Sequence, residues 1–165
     1  PRYSKRTNFK VLNETKKIHL QKKNLTRENL VEFSILFIMI FHGGAVSSNI
    51  ENISSITFSN TENEKLKNIL INYIKLNKTE KEIENEARKI NSTLVKNIYE
   101  NSNLKLIVNK KNYDQIKELF DDFTNDLLES QNRKKIESLE KKLINNMEEK
   151  AFTELLKLKS QINRE

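Results

Sequence analysis

"FSILFIMIFHGG", residues 33–44, is the most apolar stretch of an otherwise very polar chain, and it closes on the only two glycines present. From Ile35 to Phe41 no residue is polar, and Ser34 is the only polar one since Glu32. A membrane-spanning helix needs about 20 predominantly apolar residues. This run is well short of that, and a carboxylate interrupts its N-terminal side. It reads as a helix buried on every side at the centre of a domain. Thr26 precedes it and can accept from the free N–H groups of the first turn, with Glu28 near the positive end of the dipole. The pattern predicts a helix over 27–42, closed by Gly43-Gly44 in the left-handed conformation.

Outward from that helix the signal stays helical. Residues 45–60 read as loop with at most a short turn around 49–52, and Ile53, Ile56 and Phe58 are expected to plug into the core. Ser59 or Asn60 can cap a helix over about 61–76, with Leu66, Ile69, Leu70, Tyr73 and Ile74 on one face. Thr79 and Glu82 form a capping box that starts a third helix near Glu80, with Ile83, Ala87 and Ile90 as a narrow stripe. A further short helix carries Leu94, Val95, Ile98 and Tyr99, followed by an apolar connection through Leu104, Leu106, Ile107 and Val108.

The last third differs. Residues 112–144 contain neither Gly nor Pro, which predicts one continuous helix of roughly 50 Å. Its first part has a stripe at Ile116, Leu119, Phe120, Phe123, Leu127 and Leu128. "ESQNRKK", residues 129–135, offers no apolar face, and the stripe resumes at Ile136, Leu139, Leu143 and Ile144. The waist is therefore expected to be a bare, solvated rod. After "NN" at 145–146 a final helix carries Ala151, Phe152, Leu155, Leu156, Leu158 and Ile162, packing back as an antiparallel hairpin. The expected fold is all-α. It comprises a basic flexible linker (1–25), a small helical bundle (26–111), and a long connecting helix with a C-terminal antiparallel helical hairpin (112–165).

Charge separates these parts. Of 30 Lys/Arg and 23 Asp/Glu, residues 1–25 hold eight and one, so the remainder is balanced at 22 of each. The excess of +7 lies entirely in the proposed linker. It reads as a solubilising tether, with weak contact to nucleic-acid phosphates as the second reading. With no Cys, disulfides, thiolate zinc sites and Cys nucleophiles drop out together, and a reducing compartment fits. The richness in Lys, Asn and Ile looks like AT-rich coding sequence and is discounted as a functional signal. No signal-peptide pattern opens the chain, and the start at Pro1 suggests a fragment of something longer.

No reaction centre emerges. His19 and His42 each lack a partner three or four residues away. Asp122 and Asp126 share a face but have no further ligands, so neither a metal nor a cofactor is expected. Gly43-Gly44 precede no phosphate-binding Lys-Ser/Thr pair. Catalysis by this chain alone is not expected. A binding surface remains. Phe152, Leu155, Leu156, Leu158 and Ile162 cannot all face one partner helix; positions 152, 155, 156 and 162 lie together, and Leu158 sits off that stripe. Apolar area left over on the hairpin would await another protein.

With these segments in order, the chain resembles the C-terminal, helicase-binding domain of the bacterial replicative DNA primase. The resemblance is carried by "RENLVEFSILFIMIFHGG", by "SSITFSNTENEKLKNIL", and by "NRKKIESLEKKLINNMEEKAFTELLKLKSQI", which is similar to the family's terminal hairpin. It spans about residues 26–165. It implies a non-catalytic part of an enzyme that makes RNA primers, with no cofactor of its own. The implied setting is bacterial and cytoplasmic, at the replication fork, with the domain monomeric on its own. It further implies docking on the N-terminal domains of the hexameric replicative helicase, mostly through the hairpin. Phe152, Leu155, Leu156 and Lys159 are the expected partner-binding residues: Phe152 or Leu155 as apolar anchor, Lys159 as a rim charge governing orientation and on-rate. The "NN" tip departs from the acid or Gly-Asp type turn common in the family. Competing readings are a nucleic-acid-binding protein acting through its basic tail, the helicase N-terminal domain itself, and a self-associating helical scaffold.

Overall fold

The protein is described by a computed structural model covering residues 26–102, 104, 112–145 and 149–162. Among these residues every regular element is helical, in the expected all-α arrangement. The linker reading of 1–25, the apolar connection at Leu106 to Val108 and the hairpin tip lie outside the described residues.

Helix α1 (Arg27–Phe41) begins where Thr26 Oγ1 accepts from the Asn29 N–H at 3.2 Å. Val31, Phe33 and every residue from Ile35 to Ile40 are buried. The helix is thus enclosed on all sides, as its lack of a polar face requires. No single described helix is long and apolar enough to cross a membrane.

At His42 the chain turns by 108° into α2 (Gly43–Val46), a 3₁₀ turn (Ser47–Asn49) and α3 (Ile50–Ser54). The stretch expected to be loop is mostly helical. Ala45, Val46, Ile50 and Ile53 are spaced to bury one side of these short turns, and all four are buried. The glycines also act differently from expectation, since neither has a positive φ. A Cβ on Gly43 would sit 3.1 Å from Ile83 Cδ1 and 3.2 Å from Ile74 Cγ1, so this glycine serves close packing. The left-handed helix end occurs instead at Asn77 (φ 51°). There the Asn77 N–H donates to Ile74 O and the Lys78 N–H to Tyr73 O, a Schellman closure.

Helix α4 (Thr61–Lys75) is capped by Asn60, whose side chain accepts from the N–H groups of Glu62 and Asn63. Its buried face is Leu66, Leu70, Ile71 and Ile74, with Ile71 taking the central place expected of Ile69. Helix α5 (Glu80–Asn101) opens with the capping box of Thr79 and Glu82. It kinks at Asn91, whose backbone is non-helical (φ −153°, ψ 88°). Asn91 Oδ1 accepts from the Leu94 N–H at 2.9 Å and so recaps the second half. The two helices read from the sequence are thus present as two helical segments meeting at this kink. Ile83 and Ala87 are buried, while Ile90, beside the kink, is exposed.

A buried polar cluster fixes the 55–60 connection. Glu32 is fully buried, and its Oε1 accepts from Ser59 N–H (2.5 Å) and Ser59 Oγ (2.7 Å). Its Oε2 accepts from Asn63 Nδ2 at 2.7 Å. Lys67, also buried, donates to Ile56 O, pairs with Glu64 at 2.9 Å and lies 5.0 Å from the centre of the Phe58 ring. Burial would push the Glu64 carboxyl up, but the Phe58 N–H and Lys67 outweigh it and hold the group below its ordinary value.

Helix α6 (Tyr113–Asn145) is a single 33-residue helix. Ile116, Phe120 and Leu127 join the bundle core, with Leu119 and Phe123 packed against it. Leu139 belongs to a second, separate core formed with α7 (Glu149–Ile162). Leu128, expected in the first stripe, is exposed. The waist between the cores is not the bare rod expected: residues 129–132 are half-buried. Ser130 Oγ donates to Glu28 Oε1 (2.7 Å), Lys134 Nζ to Glu28 Oε2 (2.6 Å), and Gln131 Nε2 to Thr57 O (2.5 Å). Three of the seven polar residues thus meet polar partners from the first turn of α1 and the loop before α4, which apolar periodicity does not register.

Candidate functional site on the terminal hairpin

The second core is small. Leu139 from α6 and Leu155 from α7 are buried, and Ile136, Leu143 and Leu158 pack around them half-exposed. Leu155 and Leu158, three apart, share the inner face of α7. Two ion pairs flank this seam, Lys135–Glu154 at 2.6 Å and Lys159–Glu140 at 2.8 Å. The hydrogen bond from Lys135 is the main reason the Glu154 carboxyl sits below its ordinary value.

Once the seam is closed, two large apolar side chains are left over among the described residues of α7. Phe152 and Leu156 are each 52% exposed. They stand four apart, one turn along the same helix, and both point away from the Leu155–Leu158 face. The other exposed large hydrophobics among the described residues, Leu30, Leu76, Ile90, Tyr99, Tyr113 and Leu128, are nowhere three or four apart on one helix, as is common for scattered surface hydrophobics. The outer face of α7 is where two of them stack in register.

The four residues singled out from the sequence therefore divide. Phe152 and Leu156 lie on the open face. Leu155 lies in the seam at 8% exposure and serves the hairpin's own closure. Lys159 lies at the edge between them, and its ammonium is engaged by Glu140. Leu158, placed off the stripe by periodicity alone, belongs to the seam. The sequence signal for this was the charge pattern, because Glu154 and Lys159 bracket the helix face that meets Lys135 and Glu140. The side chains of Ala151 and Ile162 lie outside the described residues.

Groups considered for chemistry are otherwise occupied. Asp126 is held bidentate by Arg27 at 2.9 and 3.1 Å, and Asp122 is exposed. His42 sits at the end of α1 with its ring 6.3 Å from Phe37; burial pushes its pKa down, opposed by the Glu80 carboxylate. Among the described residues no group of three or more His, Asp or Glu could hold a metal ion. Compared with protein-family models, with curated proteins and with solved structures, the chain gives no significant match in any of the three.

Proposed function

We propose that this chain is a non-catalytic docking module that places a bacterial replicative primase on the N-terminal domains of the hexameric replicative helicase. The reading combines the resemblance of residues 26–165 to the primase helicase-binding domain with one structural observation. That observation is the outward Phe152–Leu156 pair on a hairpin whose seam Leu155 and Leu158 already close. In this reading Phe152 and Leu156 enter an apolar groove of the helicase, Lys159 lies at the rim, and Leu155 holds the helix that presents them. The bundle anchors the arm.

Affinity for the replicative helicase encoded in the same genome tests it. Phe152→Ala with Leu156→Ala should weaken binding by about 30-fold or more, since central apolar anchors each contribute on the order of 1–2 kcal/mol. Far-UV circular dichroism should be unchanged, because neither side chain is in the seam. Undiminished affinity in the double variant would remove the hairpin from the account. A salt-dependent affinity for DNA, lost on deleting residues 1–25, would favour the nucleic-acid reading instead.

A further inference from the structure

The contacts between the first turn of α1 and the waist of α6 suggest a second device, independent of what the hairpin binds. The bundle core ends on α6 at Leu127, and the hairpin core begins at Ile136. Between them, among the described residues, polar contacts tie α6 to the bundle: Ser130 and Lys134 to Glu28, and Gln131 to Thr57 O. Arg27–Asp126 closes the same junction from one turn earlier. A crevice of about 280 Å³ opens between the two helices, lined by Val31 and Leu127 of the bundle core and otherwise by polar side chains, among them Arg27, Glu28, Ser130 and Arg133.

We propose that Arg27 and Glu28 form an ionic latch on the waist of α6, that the latch holds the long helix straight, and that its release lets α6 bend at residues 129–135 and swing the hairpin. Two physical facts support this. Latch side chains such as Arg27 (83% exposed) and Lys134 (64%) are largely in solvent, so each pair is weak and open to competing ions. Ser130 and Asn132 are poor helix formers because their side chains compete for the backbone. Within the waist itself, Arg133 pairs with Glu129 one turn back along the helix. Released from α1, this stretch is the part of α6 that belongs to neither core. The Glu28 carboxyl, held below its ordinary value mainly by Lys134 and Ser130, agrees with a formed latch.

The chain contains no Cys, so Lys81→Cys on the bundle and Lys157→Cys on the hairpin, both exposed positions, can carry spin labels for distance measurement. At low salt the full chain should give one narrow distance distribution. Lys134→Glu, which sets two carboxylates against each other, should raise the ratio of shifted to original distances about fivefold. The charge-exchanged pair Glu28→Lys/Lys134→Glu should restore the original distribution. Raising salt to about 1 M, where screening acts within about 3 Å, should shift the unsubstituted chain the same way as Lys134→Glu. Helicity should be retained throughout. A distribution unmoved by both Lys134→Glu and salt, or an exchanged pair as broad as the single variant, would overturn the latch.

Discussion

Leu155→Ala separates the two cores. Leu155 is 92% withdrawn from solvent by its 8% exposure, and the truncation removes three carbons. At about 0.8 kcal/mol per buried methylene the loss is roughly 2–3 kcal/mol. The cavity contribution should be small, because the neighbouring Ile136, Leu143 and Leu158 are only partly buried. A two-helix hairpin whose described core holds two buried leucines has little stability to lose. Amide hydrogen exchange in peptides covering 149–162 should therefore accelerate by about 30–100-fold, or to the unprotected limit. Exchange in α1 should stay within about twofold, because the bundle core is a separate cluster. The same truncation at Leu36, fully buried in α1, should cost about 3–5 kcal/mol and speed exchange across the bundle. If Leu155→Ala accelerates α1 as much as α7, the two cores unfold as one and the reasoning fails.

Three further outcomes can be checked. Gly43→Ala should destabilise by about 1–2 kcal/mol, since its methyl would crowd Ile83 and Ile74. Gly44→Ala, with nothing nearer among the described residues than Tyr113 Cε1 at 3.7 Å, should be neutral or stabilise slightly; denaturant titration compares the two. Glu32→Ala should cost about 3 kcal/mol by stranding the Ser59 and Asn63 donors. Glu32→Gln should be milder, because Asn63 Oδ1 is buried without a partner among the described residues and an amide turn would let it accept from the new donor. His42 has a lowered pKa in the fold, so the unfolded chain binds the extra proton first. Stability should be complete above the ordinary value of 6.5 and fall as pH drops through it. Thermal unfolding between pH 7.5 and 5.5 should show this slope, and His42→Leu should flatten it.

Local chemistry made much of the fold legible from the residues. Thr79–Glu82, Asn60 and Thr26 marked helix starts because capping is settled within four residues. The length of α6 followed from the absence of breakers. What periodicity could not supply was the partner of a polar residue. The waist read as bare because Ser130, Gln131 and Lys134 find their partners about 100, 74 and 106 residues away along the chain, respectively. Gly43 read as a left-handed stop because its contact with Ile83 comes from another helix. On the hairpin, the surplus of apolar residues was visible, but its division was not. Leu155 with Leu158, or Leu155 with Leu156, are both plausible faces until the ion pairs Lys135–Glu154 and Lys159–Glu140 fix the rotation of α7.

The docking reading is tested most directly by hydrogen exchange on the full chain with and without saturating hexameric helicase. The account predicts slowed exchange in peptides spanning 149–162, absent when Phe152 and Leu156 are both alanine. Protection confined to α4 and α5, with the hairpin unchanged, would contradict it.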